Sequence, residues 1–191
     1  MKAFKIAFVI AGLTAGSAFA SDFSFTGNFE NDNEVQPFFF SVTEPVASVT
    51  LQTLSSDGGT NAAGTVIPAD GFDPIITLFD AVSGRVIAYN DDGSLSGFDS
   101  LLQRDLGAGD YVATITQYDN SFVGPSLSDG FQGTSFAGLD FHEPHWALDI
   151  LNASSASVGV PYISPVPEPE TYAMLLAGLG LLGWRMRSAE S

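Results

Sequence analysis

The sequence predicts an all-β protein, a single jelly-roll-like β-sandwich between an N-terminal signal peptide and a C-terminal hydrophobic helix. From Phe23 to Leu151, short runs of Phe, Val, Ile, Thr and Tyr alternate with clusters of Gly, Asn, Asp and Ser, and no helical period persists. The predicted strands are Ser24–Phe29, Phe38–Val42, Ser48–Leu54, Ile75–Phe79, Val86–Tyr89, Leu101–Asp105, Tyr111–Gln117 and Trp146–Leu151. Short strands separated by turn signals are typical of a sandwich, and 191 residues suit one such domain.

The charge of the chain is strongly one-sided. There are 22 acidic and 6 basic residues, which gives a formal net charge of −16. Of the basic residues, only Arg85 and Arg104 lie between the two termini. A surface this negative repels phosphate groups, so nucleic acid and anionic lipid are excluded as partners of the body. Cysteine is absent, which excludes disulfides, thiol catalysis and thiolate metal sites.

Residues 1–20 have the three parts of a secretory signal peptide. These are Lys2 and Lys5 in the basic region, Ile6–Leu13 as the apolar region, and Ala18 and Ala20 at the cleavage site. A buried N-terminal helix is the alternative, but it does not require these parts in this order. We expect signal peptidase to cut after Ala20, so that the sandwich domain occupies residues 21–151 of an exported protein.

The centre of the predicted domain is a β-hairpin flanked by four carboxylates. Its strands, Ile75–Phe79 and Val86–Tyr89, are joined by a linker with the Asp, Ser and Gly residues of a short turn. The carboxylates are Asp73 before the first strand, Asp91 and Asp92 after the second, and Asp99 further on. Because antiparallel strands place the start of one beside the end of the other, Asp73 is predicted to lie near Asp91 and Asp92.

These four carboxylates are a candidate calcium site. Calcium takes about six to eight oxygen ligands in flexible geometry, and Asp-rich loops supply them. A second acidic set, Glu30, Asp32 and Glu34, lies in the turn before the Phe38 strand. The alternative is turn chemistry, in which Asp and Asn side chains bond nearby backbone groups. Both interpretations stay open at the level of sequence, and no other cofactor is indicated.

No catalytic residues are predicted. His142-Glu143-Pro144-His145 has the wrong spacing for the two His residues of a zincin, and the Pro breaks any helix there, so a loop is favoured. No Ser stands in a Gly-x-Ser-x-Gly frame, and the chain has no Cys and only two His. A glycosidase with paired carboxylates is the alternative, although nothing in the sequence singles out a pair.

Two long loops, Ser55–Gly71 and Asp119–Pro144, are rich in Gly, Ser and Asp. Loops of this length inside a compact domain often carry function. The aromatic residues in or beside loops are Phe98, Tyr118, Phe122, Phe131, Phe136 and Phe141. They either stack on sugar rings or anchor the loops to the core, and we favour anchoring.

The composition changes at the end of the predicted domain. Residues 152–165 are small and polar and predict a linker. Val166-Pro167-Glu168-Pro169 follows as a stiff extended patch, since each Pro disfavours helix at the residue before it. Tyr172–Trp184 is an uncharged helix of about 20 Å, shorter than the ~30 Å hydrocarbon core, and Arg185 and Arg187 at its end can snorkel. A buried soluble helix would need a polar face, which this segment lacks, so we expect membrane engagement.

The order of these segments resembles the PEP-CTERM sorting signal. Val166-Pro167-Glu168-Pro169 stands where that family has its Pro-Glu-Pro motif, Tyr172–Trp184 where it has its hydrophobic helix, and Arg185 and Arg187 where it has its basic end. The resemblance covers residues 166–191 and implies sorting by an exosortase, a membrane protease of Gram-negative bacteria that cuts near the motif. It also implies an inner-membrane intermediate, followed by the cell surface or matrix of a host that produces exopolysaccharide.

Six segments of the body fall in an order shared with a second family. They are Gly27–Phe40, Asp73-Pro74, Leu78-Phe79-Asp80, Asn90-Asp91-Asp92-Gly93, Asp99-Ser100-Leu101 and Leu106–Tyr111. This order resembles that of bacterial pre-peptidase C-terminal-like β-sandwich domains, in particular their uncharacterised secreted branch. The two long loops depart from the compact domains of that family.

Together these observations predict a non-catalytic exported protein of the cell surface or extracellular matrix, associated with exopolysaccharide or biofilm. The expected partners are signal peptidase, an exosortase, the membrane through the C-terminal helix, and extracellular polysaccharide. The alternative is a secreted hydrolase acting on that polysaccharide. The missing activated nucleophile favours the first prediction, whereas an apolar cleft with two perturbed carboxylates would favour the second.

Overall fold

Short strands dominate the computed structural model, which describes residues 20–93, 97–134 and 142–164. The strands are β1 (Ser21–Asn28), β2 (Glu34–Val42), β3 (Ala47–Thr53), β4 (Gly59–Thr60), β5 (Val66–Ile67), β6 (Pro74–Asp80), β7 (Val86–Asn90), β8 (Leu101–Leu106), β9 (Gly109–Gln117), β10 (His145–Ala153), β11 (Ser155–Val158) and β12 (Tyr162–Ile163). A short 3-10 helix spans Leu127–Asp129. All of the predicted strands overlap an observed one, because period-2 apolar runs bounded by turn residues specify them.

The strands form two antiparallel sheets that share one core. The first sheet has the order β1-β10-β3-β8. The second has the order β11-β2-β9-β6-β7, with β12 also paired to β2. Strands β4 and β5 form a separate two-stranded hairpin within the first long loop. The all-β sandwich prediction is therefore confirmed.

The main core lies between the two sheets. Phe38 and Phe40 of β2 belong to one buried cluster with Leu148 and Ile150 of β10. The ring of Phe38 lies 5.5 Å from that of Trp146 in a T-shaped arrangement. Burying a side chain of this size contributes roughly 1.5–3 kcal/mol, and a one-residue slip would turn the whole set to the opposite face. The apolar alternation therefore fixes the register of both sheets.

The outer face of the second sheet is also covered. Phe79 of β6 packs with Phe131 in a second buried cluster, and Phe122 packs against that cluster. The loop after β9 therefore lies on the sheet, which explains why Ile75–Phe79 is apolar on both faces.

The loop aromatics divide into two groups. Phe122 and Phe131 anchor their loop, as favoured from the sequence. Phe98 and Tyr118 remain 59% and 42% exposed. Phe136 and Phe141 lie outside the described residues.

The segment 152–165, predicted as a linker, contains the end of β10 and two short strands of the second sheet, β11 and β12. Strand β11 pairs with β2 from Ser155↔Ser41 to Val158↔Phe38, and β12 pairs with β2 at Tyr162↔Val35 and Ile163↔Glu34. The composition is that of a linker because edge strands are solvated and need little apolar sequence. The free hydrogen-bonding edge of β2, which the sequence pattern does not reveal, selects these residues as partners.

The two terminal segments predicted for export and sorting fall largely outside the described residues. Strand β1 begins at Ser21, the first residue after the predicted signal cleavage site. The tail predicted for residues 166–191 is not among the described residues. Within the described part of the chain, no helix is long and apolar enough to cross a membrane.

A close backbone approach beside Trp146 gives a test of the core. Gly27 pairs with Trp146 across β1 and β10, and a Cβ at Gly27 would lie 2.3 Å from Trp146 Cζ2. We expect Gly27→Ala to lower the free energy of unfolding by about 1–3 kcal/mol, because the indole must leave its position. Gly107→Ala is the matched control, since the nearest atom there would be Pro45 O at 3.7 Å. Denaturant melts that coincide for the two variants would contradict this packing.

Candidate functional site

The hairpin of β6 and β7 brings the predicted carboxylates to one edge of the second sheet. The strands pair in register at Ile76↔Asn90, which places the residues before β6 beside those after β7. The backbone of Asp73 is fixed from the other side, because Tyr118 N donates a 2.8 Å hydrogen bond to Asp73 O. The predicted proximity of Asp73 to Asp91 and Asp92 is observed, and the charge of each acts on Asp73.

The environment of Asp73 disfavours its charged form. Burial and then the charges of the neighbouring carboxylates raise the pKa of Asp73 to about 7. The same two causes raise the pKa of Asp91, with burial first and the charge of Asp92 second. The Oδ1 atoms of Asp73 and Asp91 are buried and have no hydrogen-bond partner among the described residues. Two carboxylate oxygens at this edge of the sheet therefore lack donors from the described residues.

Asp99 has a different role from its neighbours. Its buried carboxylate accepts hydrogen bonds from Thr53 Oγ1 at 2.9 Å, Ser55 N at 2.7 Å and Asp57 N at 2.8 Å. These bonds join the end of β3 to the residue that precedes β8. Hydrogen bonding to backbone, the alternative to calcium, is thus observed for Asp99, although its partners are more than forty positions away.

Backbone oxygens converge beside the carboxylates. The buried Ser100 Oγ lies 2.7 Å from Pro74 O, 2.8 Å from Asn90 O and 2.5 Å from Asp91 O. A hydroxyl carries one proton and can donate to only one of these carbonyls. In the other two contacts, oxygen lone pairs face each other with no proton between them. The site is therefore rich in oxygen lone pairs.

Asp57 is a member of this cluster that the sequence analysis missed. Its charge also raises the pKa of Asp73, although it lies in the first long loop. The hydrogen bonds that Ser55 N, Ser56 N and Asp57 N donate to Asp99 bring it here. In the second predicted set, Glu34 Oε2 accepts a 3.1 Å hydrogen bond from Glu30 N, a contact within the turn.

The described carboxylates do not form a preformed metal cage. Among residues 20–93, 97–134 and 142–164, no group of three or more His, Asp or Glu side chains has the arrangement to hold a metal ion. A cavity of about 160 Å³ adjoins the cluster and is lined by Asp57, Gly93 and Asp99 among others. Any cation held here would require the carboxylates to move together.

Residues 142–144 form a loop leading into β10, which begins at His145. Glu143 N donates to Asp70 O at 2.9 Å, and Phe29 N donates to Pro144 O at 2.9 Å. The Nε2 atom of His145 lies 3.0 Å from Pro68 O. These contacts fix the first long loop against β10, as the loop interpretation favoured.

Comparison with known proteins identifies the C-terminal segment. Residues 165–188 match the family model of the PEP-CTERM protein-sorting motif. No curated protein matches the chain.

Among solved structures, the chain is similar to the pre-peptidase C-terminal domain of collagenase from Bacillus anthracis. The sequence identity is 11%, the TM-score is 0.39, and the match covers 72% of this chain and 90% of that one. The chain therefore carries a PEP-CTERM sorting motif on the C-terminal side of a β-sandwich. The motif indicates an exported protein that an exosortase sorts.

Proposed function

We propose that this protein is a non-catalytic component of the cell surface or extracellular matrix of a Gram-negative bacterium, where it associates with exopolysaccharide. The observation that carries the proposal is the sorting-motif match at residues 165–188. The signal-peptide pattern of residues 1–20 supports export before sorting, and β1 begins directly after it. The acidic body suits a soluble role outside the membrane.

A non-catalytic role is supported by the surroundings of the perturbed carboxylates. A glycosidase needs a carboxyl pair that contacts its substrate. The Oδ1 atoms of Asp73 and Asp91 are buried, and the adjoining cavity of about 160 Å³ is smaller than the roughly 300–1,000 Å³ of ordinary ligand pockets. The pair is better suited to holding a proton or a cation than to hydrolysis.

Exposed aromatic rings support contact with polysaccharide. Tyr89 and Phe98 are 62% and 59% exposed and precede Asn90 and Asp99 of the carboxylate edge. Such rings present apolar faces on which sugar rings stack, while the neighbouring carboxylates accept hydrogen bonds from sugar hydroxyls.

Calcium is the cation proposed for the carboxylate edge. The oxygen-rich surroundings of Ser100 and the unpartnered oxygens of Asp73 and Asp91 fit a hard cation that prefers oxygen ligands. Asp73, Asp91 and Asp92 would supply the carboxylates. Asp99 is committed to its backbone donors and would act only through its charge.

The sorting motif gives the test of the main proposal. Replacing Pro167, Glu168 and Pro169 by Ala should leave membrane insertion intact but stop cleavage, so that uncut precursor accumulates in the inner membrane. Cell fractionation and mass spectrometry of the protein from its host measure both quantities. Arg104→Ala, in the body, is the control and should mature normally. A motif variant that reaches the surface at the normal mature mass would show that the tail is an ordinary anchor.

Calcium should stabilise the folded protein if the carboxylate edge binds it. At ~100-fold excess over the dissociation constant, a ligand of the native state adds about 2.7 kcal/mol. Melts in chelator and in millimolar calcium should therefore differ for the natural sequence and for Asp105→Asn, an exposed residue of β8. Asp73→Asn with Asp91→Asn should remove the difference. Superimposed melts of the natural protein would leave only the hydrogen-bonding role of these residues.

Without calcium, stability should depend on pH through Asp73. Its pKa is raised from 3.8 to about 7, so between these values the folded state holds a proton that the unfolded state has lost. The free energy of unfolding therefore falls as the pH rises through this window, by about 1–2 kcal/mol once solvent screening of the partly exposed group is allowed for. Denaturant melts in chelator at pH 5 and pH 8 measure it. Asp73→Asn should flatten the dependence and Asp105→Asn should not; equal slopes in both variants would exclude Asp73 as its source.

A further inference from the structure

The segment before the sorting motif is attached to the domain by few contacts. Strand β11 makes four residue pairs with β2, whereas β12 makes only two, Tyr162↔Val35 and Ile163↔Glu34. Ser164 follows with a side chain that is 8% exposed and accepts a 3.0 Å hydrogen bond from Phe131 N at its Oγ. We call Tyr162, Ile163 and Ser164 the latch.

The latch restricts how far the motif can extend from the domain. The sorting-motif match begins at residue 165, directly after Ser164. Three residues lead from Ser164 to Pro167, and a fully extended chain of this length reaches about 10 Å. A domain of this size has a radius of gyration of about 14 Å, so with the latch closed the domain crowds any enzyme that binds the motif.

We propose that the latch must open before the exosortase can engage the motif, an inference that rests on the proposed function. A protease binds its substrate as an extended strand, whose backbone groups must be free to pair with the enzyme. With the latch closed, the chain up to residue 163 is paired with β2 instead. Release back to Gly159 leaves eight residues before Pro167, a reach of about 27 Å.

The contacts around the latch define where opening stops. Gly159 N donates to Pro37 O at 2.9 Å, and Gln36 Nε2 donates to Gly159 O at 2.9 Å. These bonds and β11 hold the chain up to Gly159. Tyr162 and Ile163 are already 37% and 56% exposed, so both residues are in contact with solvent before release. Segments with few buried apolar contacts open locally while the domain stays folded.

A reversible cross-link tests whether the latch opens. Glu34 and Ile163 are opposite each other, and directly paired residues of antiparallel strands have the Cα separation of a disulfide. The natural chain has no Cys, so Glu34→Cys with Ile163→Cys allows one disulfide only. We expect the oxidised double variant to remain as uncut precursor in its host and the two single variants to be cut normally. Normal maturation of the disulfide-bonded protein, confirmed by mass, would overturn the proposal.

A second variant distinguishes two causes of failed cleavage in the cross-linked protein, the restricted reach of the motif and a folding defect. Six Gly and Ser residues inserted between Ser164 and Pro165 of the cross-linked protein add about 20 Å of reach. This insertion should restore cleavage while the disulfide stays closed. Persistent failure to cut would overturn the proposal, because restricted reach would then not be the cause.

The alanine variant of Pro167, Glu168 and Pro169 distinguishes failure of the latch from failure of sorting. If that variant accumulates and the cross-linked protein matures, sorting stands and the latch proposal is wrong. If the alanine variant also matures normally, the sorting proposal itself fails.

Discussion

The buried carboxylate of Asp99 is the interaction on which the carboxylate edge depends. A charge taken out of water is tolerated only when donors replace the lost hydration. Asp99 obtains them from Thr53 Oγ1 and from the backbone N–H groups at the start of the first long loop. The loop therefore leaves β3 in a fixed direction, which carries Asp57 to the hairpin. Removing this carboxylate would leave buried N–H groups without acceptors as well as release the loop.

The hydrogen bonds made by Asp99 also help to explain the raised pKa of Asp73. The donors that converge on this edge bond to Asp99. Asp73, by contrast, is partly buried and lies in the electric field of four other carboxylates. Two of the Asp residues at this edge have a buried oxygen without a partner, and Ser100 can satisfy only one of its three carbonyl neighbours. The fold thus concentrates oxygen and negative charge at one place. A proton at Asp73 relieves this repulsion, and a hard cation bound there, as proposed, would compete with that proton.

The hairpin and its carboxylates could be predicted because the information is local. Alternating apolar residues define β6 and β7, and antiparallel pairing places Asp73 beside Asp91. Asp57 could not be predicted, because hydrogen bonds across more than forty positions bring it to Asp99. Strands β11 and β12 were missed for another reason. They are only four and two residues long, too short to show a period, and the open edge of β2 that selects them exists only once the sheet has formed.

Strands β11 and β12 pair with the same edge of β2 but meet opposite requirements of an exported, sorted protein. Outside the cell the domain needs a firmly closed sheet, and β11 provides four pairs that adjoin the main core through Ala156. The chain next to a cleavage motif has to be available to an enzyme, and β12 provides only two pairs with exposed side chains. Local opening costs the contacts that are lost. The pairing of β11 is therefore harder to open than the two pairs of β12 that follow Gly159. In the proposed opening of the latch, the length of chain between Gly159 and Pro167 determines how closely an enzyme must approach the domain.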